Sequence, residues 1–177
     1  MKNIANAVGF QLLWFACVLL GDWAALLCTF LYLFFHRRYL QTSNAEFVLM
    51  IVFLVIGCLW DGLLIHLGVL VFPNDSLLFG VLPPLWLLCL WVSVATMLSH
   101  CLRFVAGRYL LATFLGFVSP VLSYIGGAAL SDVEIGAPFE LSVLMIAIGW
   151  AVILPLGFLL SQKLHLIPVS VHKGIKQ

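Results

Sequence analysis

"FVLMIVFLVIGCLWDGLLIHLGVLVF", residues Phe47 to Phe72, decides the fold. The run is 26 residues long and holds one acid, Asp61, and one histidine, His66. A helix rises about 1.5 Å per residue, so roughly 20 apolar residues cross the ~30 Å hydrocarbon core of a bilayer. This run is long enough and apolar enough to do so. The rest of the chain shares its character. Of 177 residues, 64% are hydrophobic and 8% charged, and the mean hydropathy is +1.21. A soluble domain carries about 25% charged residues, so this chain cannot dress a water-facing surface and belongs in a bilayer. A net charge of +1 provides no basic field for nucleic acid.

Reading outward from Phe47–Phe72, the sequence predicts an all-α polytopic membrane protein, a compact bundle of six transmembrane helices forming a single domain. The predicted spans are 4–20, 22–35, 47–71, 85–102, 109–130 and 141–161. The first two are divided only by "GDW" (Gly21 to Trp23), where Gly-Asp suits a turn and Trp23 suits the interface belt. Read as one helix, the segment 4–35 would be a rod of nearly 50 Å, too long for one crossing. No small-x-small cleavage site follows the first apolar stretch, which reads as a retained helix.

The charges test this count independently. With both termini cytoplasmic, Lys2, Arg37, Arg38, Arg103, Arg108, Lys163, Lys173 and Lys176 all fall on the cytoplasmic side. Asp22, Asp75, Asp132, Glu134 and Glu140 fall on the other side, Glu46 lies with the arginines, and Asp61 is within the membrane. Cytoplasmic loops of membrane proteins are enriched in Lys and Arg, and the six-span count obeys that rule without exception.

Inside the spans, polar and aromatic residues gather near one depth: Gln11 and Trp14, Asp61, Ser93 and Thr96, Ser119, Ser123 and Tyr124, and Trp150. Cys89, Ser93, Thr96, His100 and Arg103 follow spacings of four, three, four and three, which places them on one helix face. Ser119, Ser123 and Gly127 form a small-residue ridge suited to close helix approach. A charged aspartate at the bilayer centre costs roughly 2.5–3.5 kcal/mol, whereas an intramembrane hydrogen bond returns about 0.6 on average. One such bond leaves Asp61 unexplained and points to a functional role. Trp14 and Trp150 lie too deep for an interface belt and read as core packing, with Gln11 or Asp61 available to accept from their ring N–H groups. The same residues would also line a pocket for an acyl chain or prenyl group.

His100 lies about 10 Å nearer the cytoplasm than Asp61, which argues against a direct pair. With Arg103 it is expected to address a lipid headgroup or a partner at the cytoplasmic side. His36, His66, His100, His165 and His172 are scattered over faces and depths, so no metal site is expected and no cofactor is implied. The five cysteines, Cys17, Cys28, Cys58, Cys89 and Cys101, lie in apolar segments without CxxC spacing and read as packing residues.

The stretches "FQLLWFACVL" (Phe10 to Leu19), "WDGLL" (Trp60 to Leu64), "PPLWLLCLWVSVATMLSHCLRF" (Pro83 to Phe104) and "SPVLSYIGG" (Ser119 to Gly127) occur in that order along nearly the whole chain. In this pattern the sequence resembles the bacterial membrane family catalogued as domain of unknown function 2878. The resemblance implies a multi-pass protein of the bacterial inner membrane and no established activity. Cys101 stands where relatives are expected to carry a small polar residue, which weakens any role for that position.

The function expected from these residues is binding of a lipid or other hydrophobic small molecule at the midplane belt, accessory to lipid modification or transport. Gln11, Asp61, Thr96 and Tyr124 are the expected lining, with His100 and Arg103 on the cytoplasmic side. The expected partners are that molecule and a membrane-protein or cytoplasmic enzyme partner, without nucleic acid. Six spans in so short a chain also resemble the substrate-binding subunits of energy-coupling vitamin transporters in architecture. The alternatives are an intramembrane lipid-modifying enzyme using Asp61, a structural scaffold with a packed belt, and a proton-coupled carrier.

Overall fold

The computed structural model describes residues 2–73, 78 and 81–167. Among these residues the chain forms five α-helices: α1 (Lys2–Phe35), α2 (Ala45–His66), α3 (Leu85–Ser99), α4 (Tyr109–Leu130) and α5 (Phe139–Lys163). A π-helical turn, His36–Leu40, extends α1, and a short 3₁₀ turn, Arg103–Val105, follows α3. Two-residue strands β1 (Leu70–Val71) and β2 (Glu134–Ile135) pair antiparallel, with Leu70 opposite Ile135. Asp75, His172, Lys173 and Lys176 lie outside the described residues.

Helix α1 is continuous except at Gly21, whose φ of 77° and ψ of 179° belong to a region essentially reserved for glycine. That residue reverses the chain. Asn6 Nδ2 donates to the Tyr32 hydroxyl at 3.0 Å, although 26 residues of straight helix would hold the two about 39 Å apart. Arms 2–20 and 22–35 therefore lie side by side as an antiparallel pair, with the bend where "GDW" predicts it. At the corner, Asp22 Oδ1 accepts the backbone N–H of Trp86 at 3.0 Å. An orphan donor in the first turn of α3 is thereby satisfied by a carboxylate placed at the positive end of the helix dipole.

Helix α1 with its π-helical extension, α2, α4 and α5 are each long and apolar enough to cross a membrane. Their outward faces carry exposed Leu12, Phe30, Ile51, Leu59, Phe114 and Val152, the inverse of a soluble surface. This is a membrane protein. Helix α3, at 15 residues, is shorter and buried on most of its circumference. A helix that is apolar all round belongs inside, and α3 is the central post against which α1 and α2 pack.

Two predicted boundaries are corrected. The third span ends at His66 rather than at residue 71, because Gly68 turns the chain with φ 70° and Leu70–Val71 joins the ribbon with β2. The fourth ends at Ser99 rather than at residue 102, because His100 leaves helical geometry at φ −120°, ψ −97°. The fifth coincides with α4, and the sixth lies within α5. Helix α4 packs along α5 so closely that a Cβ on Gly116 would collide with the Trp150 carbonyl oxygen.

Charge sorts along the bundle. Lys2, Arg37, Arg38, Arg103, Arg108 and Lys163 sit at the helix ends of one pole, the basic pole. Asp22, Asp132, Glu134 and Glu140 sit at the other.

Candidate functional site

Helix α4 leans on α5 rather than on α3, and the space left between α3, α4 and the first arm of α1 is a cavity of about 350 Å³. It runs along α3 from Trp86 and Leu87 to Met97 and on to Val105, and is closed from the α1 side by Phe10, Trp14 and Val18. Its walls are almost wholly apolar. Polar groups come from one side, where α4 contributes Ser119, Ser123 and Tyr124. The small-residue ridge predicted on this helix thus faces a cavity instead of a neighbouring helix. Gly127 also lines it, and a Cβ there would meet nothing within 4 Å.

Asp61 stands behind this wall, fully buried, and is not itself among the lining residues. Its Oδ2 accepts the indole N–H of Trp91 at 2.6 Å, and its Oδ1 accepts the Tyr124 hydroxyl at 2.6 Å. One carboxylate on α2 thereby holds two aromatic side chains, from α3 and α4, that line the cavity. Two intramembrane hydrogen bonds, each worth up to about 1.7 kcal/mol in the best cases, match the roughly 2.5–3.5 kcal/mol needed to place a charged aspartate there. The residue is accounted for as a positioning group.

Local sequence makes this possible. Gly57, one turn before Asp61 on α2, has no side chain, and a Cβ there would overlap the Trp91 ring. Trp91 fits into that notch, with Trp150 stacked on it at a centroid distance of 4.4 Å and 17° between planes. Trp14 donates to Ser123 Oγ at 2.9 Å, so its partner is neither Gln11 nor Asp61. That bond ties the first arm of α1 to α4 across the cavity.

Thr96 and His100 belong to a second polar cluster toward the basic pole. Thr96 Oγ1 lies 2.7 Å from the Tyr32 hydroxyl and accepts from Asn6 Nδ2 at 3.2 Å. Beyond it, Glu46 Oε2 lies 2.8 Å from His36 Nε2 and 3.1 Å from His100 Nε2. Glu46 Oε1 accepts both the backbone N–H and the hydroxyl of Thr42, at 2.9 and 3.0 Å. His36, Glu46 and His100 are 1%, 1% and 5% exposed.

The six predicted site residues therefore separate. Asp61 and Tyr124 meet. Thr96 and His100 join the second cluster instead of the cavity. Gln11 and Arg103 are exposed and touch neither group, because both lie on outward faces. Sequence reasoning missed Trp91, His36 and Glu46. A usable signal existed for Glu46, the one acid among the arginines at its pole, since an acid in the wrong charge zone needs a local partner. The expectation that the histidines are scattered is corrected for His36 and His100, which the fold brings together with ring centroids 4.9 Å apart.

Residues 3–156 match the family described as a protein of unknown function, DUF2878, and the chain belongs to that family. No curated protein and no solved structure matches it.

Proposed function

We propose that this DUF2878 member binds a lipid or other hydrophobic small molecule in the cavity between α3, α4 and the first arm of α1, accessory to lipid modification or transport. The observation that carries this reading is the cavity itself, about 350 Å³ with apolar walls and a few polar groups on one side. Small-molecule sites of about 300–1,000 Å³ are built in this way, apolar with a few placed polar groups. A scaffold with a packed belt would leave no such space. An enzyme using Asp61 as acid or base has less support, because that carboxylate lies behind Trp91 and Tyr124 with both oxygens engaged.

The setting is a bacterial inner membrane crossed six times, with the two arms of α1 counted separately and α3 as the short fourth crossing. The basic pole faces the cytoplasm, in keeping with the enrichment of Lys and Arg in cytoplasmic loops. Both termini then lie inside.

The test is mass spectrometry of small molecules that co-purify with the protein in mild detergent, comparing wild type with Gly127→Leu. Leucine is the better helix former by about 1 kcal/mol, and its side chain would enter open cavity space. The expected result is a defined hydrophobic molecule in the wild type that is absent from a variant of equal or greater stability. The same molecule at the same occupancy in both samples would remove the cavity from the function.

A further inference from the structure

The second cluster carries a separate inference. We infer that His36, Glu46 and His100 form a binding site for one divalent first-row transition metal ion, with zinc the best match. His36 opens the π-helical turn after α1, Glu46 lies in the first turn of α2, and His100 is the residue on which α3 ends. Three separate elements thus deliver one donor each to a common point, and the three donor atoms lie within 4.8 Å of one another.

The donor set and spacing fit such an ion. Zinc takes imidazole nitrogen and carboxylate oxygen at about 2.0–2.2 Å, which puts neighbouring donors of a tetrahedral site about 3.3 Å apart. The two nitrogen–oxygen separations here are 2.8 and 3.1 Å, within a few tenths of an ångström of that spacing. Two histidines and one glutamate leave a fourth position open, the pattern of zinc sites that hold a water or a substrate. Carboxylate and imidazole donors without thiolate disfavour copper(I) and iron–sulfur chemistry.

The surroundings point the same way. A buried carboxylate is held at less cost when positive charge lies beside it. The arginines nearest in sequence do not supply it, since Arg37 lies over the Phe47 ring and Arg38 over the Tyr39 ring. Among the described residues, the ion pairs of Glu46 are with the two histidines alone. Thr42 fixes the far carboxylate oxygen with two hydrogen bonds, the outer-shell bracing that metal-binding carboxylates receive. The π-helical turn that presents His36 is an uncommon conformation found often at functional sites.

The experiment uses the full chain purified in detergent, stripped with a chelator and then titrated with Zn²⁺. Metal content is read by elemental mass spectrometry and thermal stability is read in parallel. The expected result is one zinc per chain, with stabilisation by zinc that the chelator reverses. Thr42→Val is expected to weaken binding about tenfold, the lower end for outer-shell partners, and Glu46→Gln by about 100-fold or more. His66→Ala, which removes an exposed histidine at the opposite pole, leaves binding unchanged. A wild-type protein that neither retains zinc nor is stabilised by it would overturn the inference, whatever the variants do. So would zinc binding of equal strength in Glu46→Gln and wild type.

Discussion

Asp61 acts on the cavity through two other side chains. Replacing it with alanine leaves the Trp91 indole N–H and the Tyr124 hydroxyl without their acceptor, at about 1–3 kcal/mol for each buried donor. Asp61→Ala is therefore expected to lower the unfolding temperature in detergent and to loosen ligand retention together. Asp61→Asn, which keeps one acceptor oxygen, should fall between the two. Unfolding monitored by tryptophan fluorescence checks both, since Trp91 and its stacked neighbour Trp150 report directly on the wall. An alanine variant as stable as wild type would mean that neither bond matters. That Asp61 and Tyr124 share one depth was legible in the sequence, although Gln11 and Thr96 share it too and only the packing shows which of them meet. Trp91 was not, because a tryptophan in an apolar helix reads as packing, and only the glycine notch at Gly57 shows where its ring goes.

At the scale of elements, the bend in α1 does the most to arrange the bundle. Gly21 sits at φ 77°, ψ 179°, where a side chain costs about 1–3 kcal/mol. Gly21→Ala is expected to destabilise the protein by that amount, and an unchanged melting temperature would show that the corner tolerates a Cβ. The turn was readable because an unbroken helix would overshoot the bilayer and because Gly-Asp is turn chemistry. The role of Asp22 as a cap for α3 was hidden, since it joins residues 64 apart in sequence. Apolar periodicity also misjudged where α2 and α3 stop. Leu70–Val71 and Leu102 are as apolar as the helices before them, so hydropathy runs on while the backbone turns at Gly68 and His100.

For the whole molecule, the segregation of Lys and Arg at one pole gives a directional prediction. Ser43, between the π-helical turn and α2, and Ser131, just after α4, lie at opposite poles. Single cysteines introduced as Ser43→Cys and Ser131→Cys, in a chain with its native cysteines replaced, should differ toward a membrane-impermeant thiol reagent. In intact cells the second is expected to react and the first only after the membrane is opened. The reverse result would invert the orientation and place the His36–Glu46–His100 cluster outside. The gross architecture was legible because lipid imposes a strong length and charge code. Side-chain constellations were not, because three residues in three elements converge only once the packing of α1, α2 and α3 is known.

The slot between α3 and α4 has Ser119, exposed midway along α4, among its lining residues, at a depth that lipid would surround. A molecule arriving from the side would come directly out of the hydrocarbon phase and never pass through water. Its partitioning, about 0.8 kcal/mol for every methylene, would then be complete before the protein touched it. Chain length would decide how much ligand is present in the bilayer, and selection would fall to the few oxygens along α4. An affinity measured against the aqueous concentration would belong largely to the membrane. The protein's own contribution appears only when the ligand is counted as a mole fraction of lipid.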